Sequence, residues 1–253
     1  MQRALNKSRQ TKSPKRQHQL KRLHRLVAKH EPIVQRGASI TTGFAEIDAY
    51  FDAHVTGGVP CGGLHEVAAE SAADMPAVLG FAHRLAARFM AQGADDDVLL
   101  YGQTHAACRD GGQPYAPALT AHGVSPHSLV YLDGVTVPDL LWAGEQALTC
   151  PSVACSLLTS SEAAPDFTHS RRLSLAARTA ERPILLALGK TAASAATTRW
   201  RLAALPHNGW QVTLEKLRLS HDTPPPLDGW ALYPSTPQNA ETRHVMPLMR
   251  RAV

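Results

Sequence analysis

The chain has 253 residues, 44% of them hydrophobic, and a formal net charge of +5. This length is enough for one medium-sized α/β domain with a full hydrophobic core and appended segments. The sequence contains no apolar run long enough to span a membrane, and no apolar stretch follows the basic N-terminal residues, so neither a membrane span nor a secretory signal is predicted. The four cysteines form no C-x-x-C pair, which is typical of a reducing compartment, and we expect a cytoplasmic protein.

The positive charge is concentrated at the N-terminus. Residues 1–40 contain 11 basic residues and one acidic residue, whereas the rest of the chain has a net charge of −5. Residues 1–36 therefore form a basic arm, and apolar residues at helical spacing predict an amphipathic helix over residues 17–30. Two interpretations stay open: the arm contacts DNA or an acidic partner, or it is a solvated tail. Its candidate contact residues are Lys15, Arg16, Lys21, Arg22 and Arg25.

Residues 37–222 alternate short apolar runs with helical patterns, which predicts an α/β core with a mostly parallel central sheet flanked by helices. The first helix is expected to begin after Thr42 as its N-cap. Further helices are predicted at 76–92, 114–122, 137–148 and 166–180, and strands at 64–69, 97–101, 128–132, 152–158 and 183–188.

The C-terminal part of the sequence has a different pattern. Residues 199–205 and 210–219 predict a β-hairpin that turns at Asn208-Gly209, a dipeptide favoured in tight hairpin turns. Residues 223–253 are predicted to form a Pro-rich tail, within which residues 229–233 add a last edge strand.

The loop after the first core strand, residues 70–75, stands where a strand–loop–helix ATPase has its phosphate-binding loop. Such a loop needs glycines, which let backbone N–H groups surround the phosphate, and a lysine that reaches its oxygens. Here no glycine occurs within residues 64–79 and no lysine within residues 30–189, and the loop contains two acidic residues. We interpret it as a degenerate nucleotide site, formed by Glu70, Ser71, Ala72, Ala73, Asp74 and Met75.

The motifs around this loop follow a recognisable order. A Thr-Gly-(x)4-Asp opening at residues 42–48 precedes a Gly-Gly-x-Pro-x-Gly turn at 57–62 and a strand that contains Glu66. This order resembles the start of the RecA-type ATPase core. That family has a catalytic Glu near Gln103-Thr104 and a metal-supporting Asp near Thr159-Ser160-Ser161, and both are absent here. The resemblance therefore implies a RecA-like fold with degenerate Walker motifs and without catalysis, cofactor or metal.

Two later segments sharpen the resemblance. Residues 166–177 contain an Arg-Arg-Leu motif and residues 195–202 contain Thr-Arg-Trp-Arg. With residues 214–218 they resemble the ImuA family, across about residues 38–220 of this chain. The resemblance implies a non-catalytic accessory protein of the bacterial SOS response to DNA damage, which scaffolds or regulates an error-prone translesion polymerase assembly. The implied partners are an ImuB-like polymerase-related protein, an error-prone C-family polymerase and RecA.

Several basic residues of the core are candidate contacts to nucleic acid or to a partner, because the arginine fork suits phosphates and carboxylates. The alternative for these arginines is ion pairing within the chain, with Trp200 packed in the core. The candidates are Arg171, Arg172, Lys190, Arg199 and Arg201.

Two further patterns are weaker. Gly189-Lys190-Thr191 resembles half of a phosphate-binding loop but has Ile184 where the first glycine belongs, so we expect no phosphate site there. The pairs His105 with Cys108 and Cys61 with His65 have ligand-like spacing, but no second pair follows at a usual distance, so we expect no metal.

Three other functions stay open at the level of sequence. The first is a division inhibitor of the SulA type, which is also RecA-like in fold and binds FtsZ. The second is a DNA-binding module that acts through the basic arm. The third is an ATPase that has kept nucleotide affinity.

Overall fold

The computed structural model describes residues 38–54, 57–218 and 229–233. Most of the predicted basic arm, its helix at 17–30, and most of the predicted C-terminal tail lie outside these residues. The strands are β1 (Ser39–Ile40), β2 (Val59–Pro60), β3 (Gly63–Ala69), β4 (Val98–Thr104), β5 (Leu129–Val135), β6 (Val153–Ser160), β7 (Pro183–Leu188), β8 (Thr198–Leu205), β9 (Gly209–Leu217) and β10 (Trp230–Leu232). The helices are α1 (Ala45–His54), α2 (Met75–Met90), α3 (His105–Gly111), α4 (Ala116–Ala121), α5 (Val137–Ala147) and α6 (Phe167–Ala180).

A mixed eight-stranded sheet organises these elements, in the spatial order β10-β9-β8-β3-β7-β6-β4-β5. The strands from β8 to β5 are parallel, whereas β9 and β10 run antiparallel to their neighbours. Strands β1 and β2 form a separate antiparallel pair. The α/β class, the mostly parallel sheet and the C-terminal hairpin are therefore confirmed.

Helices cover the sheet on both faces. On one face α2 packs against β3, β6, β7 and β8, and aromatic residues of α1 join the same core: the ring of Phe51 lies 5.9 Å from that of Trp200. On the other face α6 lies over β3 and β7, α5 over β4 and β6, and α3 over β4 and β5. Burial from both sides explains why β7 is an unbroken apolar run, with every residue buried.

The hairpin follows the predicted alternation of strand residues. Trp200 and Leu202 are buried in the core, while Arg199 and Arg201 point to the opposite face. The turn before Gly209 uses left-handed backbone at Asn208, with φ of 58°, which asparagine tolerates better than most residues. Strand β10 pairs with β9, which confirms the predicted edge strand.

Three local predictions need correction. Thr42 does not cap α1, which begins at Ala45; instead, the Asp48 carboxylate accepts hydrogen bonds from the Thr42 amide (2.6 Å) and hydroxyl (2.8 Å). Strand β4 continues to Thr104, so Gln103 and Thr104 belong to the strand and not to the loop. Helix α3 was not predicted, because its seven residues are too few for a helical period to be recognised; Thr104 caps it by accepting from the Ala107 amide at 3.2 Å.

Candidate functional site at the carboxyl edge of the sheet

The carboxyl ends of β3, β7, β6 and β4 lie side by side at one edge of the sheet. Ala68 is in register with Leu188, Leu188 with Ser160, and Thr159 with Gln103. Open α/β sheets bind their ligands at this edge. The three positions identified from the sequence, namely the 70–75 loop, Gln103 and the 159–161 segment, are therefore brought together at one edge.

The loop after β3 is held closed by its own carboxylate. Residues Ala72–Asp74 form one 3₁₀ turn, and the largely buried Asp74 accepts hydrogen bonds from the Ser71 amide (2.9 Å), the Ser71 hydroxyl (2.6 Å) and the Ala204 amide of β8 (2.8 Å). The Ala204 amide is the main cause of the lowered pKa of Asp74. The Glu70 amide donates to the Leu202 carbonyl at 2.8 Å, which also ties the loop to β8.

This arrangement opposes phosphate binding. A phosphate-binding loop directs free amides toward an anion, but here Asp74 already accepts the Ser71 amide. A lowered pKa keeps Asp74 ionised at neutral pH, and Glu70 adds a second, largely exposed carboxylate. Arg201 lies 3.4 Å from Glu70 but only 2.5 Å from Glu215, so its charge is shared between two carboxylates. No cation of the loop itself attracts a triphosphate.

A polar network that the sequence analysis did not identify connects the ends of β4 and β5. The Tyr131 hydroxyl donates to Gln103 Oε1 at 2.8 Å, and the Cys108 thiol donates to Asp133 Oδ1 at 2.9 Å. Burial, followed by the hydrogen bond to Asp133, raises the pKa of the Cys108 thiol, so this cysteine stays protonated and is a weak nucleophile. The only sequence signal for this network was the spacing of Cys108 from His105.

Two hydroxyl groups at the end of β6 are bonded within the protein. Ser160 Oγ donates to the Ala163 carbonyl at 2.8 Å, and Ser161 Oγ donates to Asp110 Oδ2 at 2.8 Å. The bond from Ser161 is the main cause of the lowered pKa of Asp110. In the part of the chain that the structure describes, no group of three His, Cys, Asp or Glu residues is arranged to hold a metal ion.

The connection between β7 and β8, residues 189–197, is fixed by Arg199. The guanidinium pairs with the fully buried Glu66 on β3, with Nε 2.7 Å from Oε2. Its Nη2 donates to the Ala192 carbonyl at 2.5 Å and to Ser194 Oγ at 2.8 Å. The Ala195 amide donates to Ser170 of α6 at 3.0 Å. This segment is therefore tied to β8 and α6.

The candidate basic residues fall into four groups. Arg199 and Arg201 are engaged in ion pairs within the sheet, which is the alternative that the sequence left open, and Trp200 is fully buried. Arg172 is exposed and pairs with Glu145 of α5. Arg171 and Lys190 are exposed, with no ion pair among the described residues. Lys15, Arg16, Lys21, Arg22 and Arg25 lie outside the described residues.

The fold and the carboxyl edge of the sheet together define the class of protein. It is an α/β protein with a mostly parallel, helix-flanked sheet, and side chains at the carboxyl edge of that sheet are hydrogen-bonded within the protein. The sequence matches no protein-family model, and no protein of curated function is similar to it. Within the described ranges, no helix has both the length and the apolar character needed to cross a membrane.

Proposed function

We propose that this chain is a RecA-like accessory protein that binds other proteins and does not hydrolyse nucleotides. The observation that carries the proposal is Asp74. Its carboxylate lies in the loop that would have to hold a phosphate, and it accepts the Ser71 and Ala204 amides. A bound triphosphate would have to displace these bonds and approach two carboxylates, with no lysine in the loop.

Two more features of the edge support a non-catalytic role. Gln103, at the end of β4, is buried and donates to the Gly112 carbonyl at 3.3 Å, and its neutral amide has no basic atom that could act as a general base. Ser160 and Ser161, at the end of β6, supply no carboxylate for a metal ion. This edge is where α/β sheets bind ligands, but here the side chains of Asp74, Gln103, Ser160 and Ser161 make hydrogen bonds within the protein.

The cellular role follows from the resemblance of residues 166–177 and 195–202 to the ImuA family. We propose that the chain acts in the cytoplasm, in the SOS response to DNA damage, and scaffolds or regulates an error-prone translesion polymerase assembly. Its proposed partners are an ImuB-like protein, an error-prone C-family polymerase and RecA, with DNA as a further contact of the basic arm. The ordered core then serves as a rigid platform for protein contacts.

Nucleotide binding by the purified full-length chain tests the first part of the proposal. A fluorescent ATP analogue with magnesium is titrated against the chain, and an active RecA protein serves as the positive control. We expect no saturable binding in the micromolar range and no ATP hydrolysis. Affinity at tens of micromolar that requires magnesium and is competed by ADP would overturn the non-catalytic assignment.

Co-purification tests the second part. Tagged full-length chain is expressed with an ImuB-like protein or with FtsZ from the same bacterium, and is compared with versions that lack residues 1–36 or 234–253. The second deletion keeps β10, which belongs to the sheet. We expect association with the ImuB-like protein alone. Association with FtsZ, together with filamentous growth, would favour the SulA-type inhibitor instead.

A further inference from the structure

Helix α6 exposes a stripe of apolar and basic side chains to solvent. Phe167, Arg171, Leu175 and Arg178 are separated by four, four and three residues, so they lie along one side of the helix. Phe167 is 48% exposed and Leu175 is 45% exposed. Single exposed apolar residues are common on protein surfaces, but here two of them alternate with two arginines.

The groove between α5 and α6 lies on the other flank of α6. It is lined by Trp142 of α5, which is 61% exposed, together with Leu141, His169 and Arg172, and it contains none of the stripe residues. Arginine is among the residue types most enriched in binding hot spots of protein interfaces. We call the stripe the arginine surface, formed by the exposed Phe167, Arg171 and Leu175 and the partly buried Arg178.

The charges of the arginine surface lack partners of their own. Arg172, one position away, is engaged by Glu145 through Nε at 2.8 and 2.9 Å, and Arg199 and Arg201 are paired in the sheet. In contrast, neither Arg171 nor Arg178 makes an ion pair or a side-chain hydrogen bond with any residue that the structure describes. An unpaired guanidinium next to exposed apolar groups is complementary to a carboxylate on an apolar segment.

The terminal segments of the chain do not suit this surface. Residues 1–37 have a net charge of +10 and residues 234–253 a net charge of +2, so both would be repelled by Arg171 and Arg178. Residues 219–228 have a net charge of −2, but they are joined at both ends to β9 and β10, whereas α6 packs over β3 and β7. A continuous phosphate backbone fits less well than a peptide, because the exposed Phe167 and Leu175 lie beside the arginines and a phosphate backbone offers them no apolar contact. The carboxylates of an acidic peptide can instead meet the two unpaired arginines while its apolar side chains cover Phe167 and Leu175.

We propose that the arginine surface binds an acidic amphipathic segment of another protein. Carboxylates of that segment pair with Arg171 and Arg178, and its apolar residues pack on Phe167 and Leu175. This inference goes beyond the proposed function, because it identifies a face of the protein and a partner chemistry. It holds for an accessory protein of any pathway, so it can fail while the absence of nucleotide binding is upheld.

A charge-swap experiment tests the inference with the full-length chain. The probe is a fluorescein-labelled synthetic amphipathic peptide with glutamates on one face and leucines on the other, followed by anisotropy. Its partner probe has lysine in place of every glutamate. The variants are Arg171→Glu with Arg178→Glu, Leu175→Ser, and Arg109→Glu as a matched control, since Arg109 is an exposed arginine on α3.

We expect the double reversal to lower the affinity for the acidic peptide by about tenfold or more, and to create binding of the lysine peptide. Leu175→Ser should weaken binding of the acidic peptide, and it should weaken binding of the lysine peptide when added to the double reversal. Arg109→Glu should change the affinity for the acidic peptide by less than about twofold. Urea unfolding of every variant separates loss of binding from loss of folding.

Four outcomes would overturn the inference. The wild-type chain fails to bind the acidic peptide up to millimolar concentration, or Arg109→Glu weakens binding as much as the double reversal does. A labelled single-stranded DNA binds the wild-type chain, and the double reversal abolishes this binding but leaves binding of the peptide unchanged. That result would assign the surface to nucleic acid. Sedimentation shows a dimer that the double reversal dissociates, which would assign the surface to a second copy of the chain.

Discussion

The loop after β3 and the arginine surface use charged side chains in opposite ways. In the loop, Asp74 accepts three hydrogen bonds from Ser71 and Ala204, and Glu70 lies beside Arg201. On the arginine surface, Arg171 and Arg178 have no such partners among the described residues. The first region is closed by internal contacts, while the second is open to a partner.

This difference indicates where function can reside. A charge that is paired inside the protein has a structural task, and its removal leaves another buried charge without compensation. A charge that faces solvent without a partner contributes little to folding, so its position is free to serve recognition. The resemblance to an ATPase core draws attention to the loop, but the geometry favours the helical face.

The largest contrast is expected between two arginines. Arg199→Ala removes the partner of the fully buried Glu66 and the bonds to Ala192 and Ser194, so it should lower the free energy of unfolding by about 3–5 kcal/mol. Arg171→Ala should change it by less than about 0.5 kcal/mol. Urea denaturation followed by circular dichroism measures both. Equal effects of the two substitutions would remove the distinction between closed and open regions.

Acid should destabilise the core around His65 and His83. Burial lowers the pKa of His65 on β3 to about 4, compared with 6.5 in the unfolded chain, so the folded state keeps this ring neutral. The contribution of His65 is complete above pH 6.5, and it is lost as the pH falls from 6.5 toward 4, by roughly 3 kcal/mol. His83, whose pKa burial also lowers to about 4, acts in the same direction.

His65→Gln tests this pH dependence. The midpoint of urea unfolding is measured from pH 7 down to pH 4. Its slope against pH should be smaller than in the wild type but not zero, because His83 and His122, whose pKa values burial also lowers, continue to titrate. Thr198 Oγ1, the neighbour of His65 at 2.9 Å, keeps its hydrogen bond from Trp200 Nε1 at 3.0 Å. An unchanged slope in the variant would show that His65 does not control acid stability.

Asp74→Ala should lower the free energy of unfolding by less than Arg199→Ala does, through the hydrogen bonds of the 70–75 loop. Loss of the carboxylate leaves the Ser71 and Ala204 amides without their acceptor and should lower the free energy of unfolding by about 1–3 kcal/mol. The lowered pKa of Asp74 makes its contribution present above the unfolded pKa of about 4 and lost as the pH falls through the folded value.

The same variant tests the closed loop as a latent nucleotide site. We expect Asp74→Ala to bind no ATP analogue, since removal of the acid supplies neither glycine nor lysine. Asp74→Asn is the control, because it removes the charge and keeps one oxygen acceptor. Micromolar ATP affinity in either variant would show that the site is blocked by one side chain rather than lost.

The smallest effect is expected at Trp142. Trp142→Phe should change the free energy of unfolding by less than about 0.5 kcal/mol, because the indole is mostly exposed. It should also remove a large part of the tryptophan emission that acrylamide quenches, since Trp200 is fully buried. Trp200→Phe is the comparison and should leave the quenchable part intact. Unchanged quenching in Trp142→Phe would contradict the exposure of Trp142.

The elements of the fold were largely predictable because their signals are local. β7 was predicted from a run of apolar residues, the hairpin from Asn208-Gly209, and α6 from its helical pattern, with Asp166 as the observed cap. The degenerate loop was also visible, since missing glycine and lysine are properties of composition. Helix α3 was not predicted, because seven residues are too short to show a period.

Sequence by itself determined the alternation of apolar strands with helices, and the lack of glycine and lysine in the loop after β3. Tertiary structure alone decided which charged side chains are paired within the protein and which face solvent without a partner among the described residues. Glu66 and Arg199 are 133 residues apart, and Asp74 and Ala204 are 130 residues apart, yet each pair meets because β8 lies beside β3. Arg171 and Arg199 are the same residue type in equally basic motifs. Only their neighbours in space give one a structural task and leave the other free for a partner.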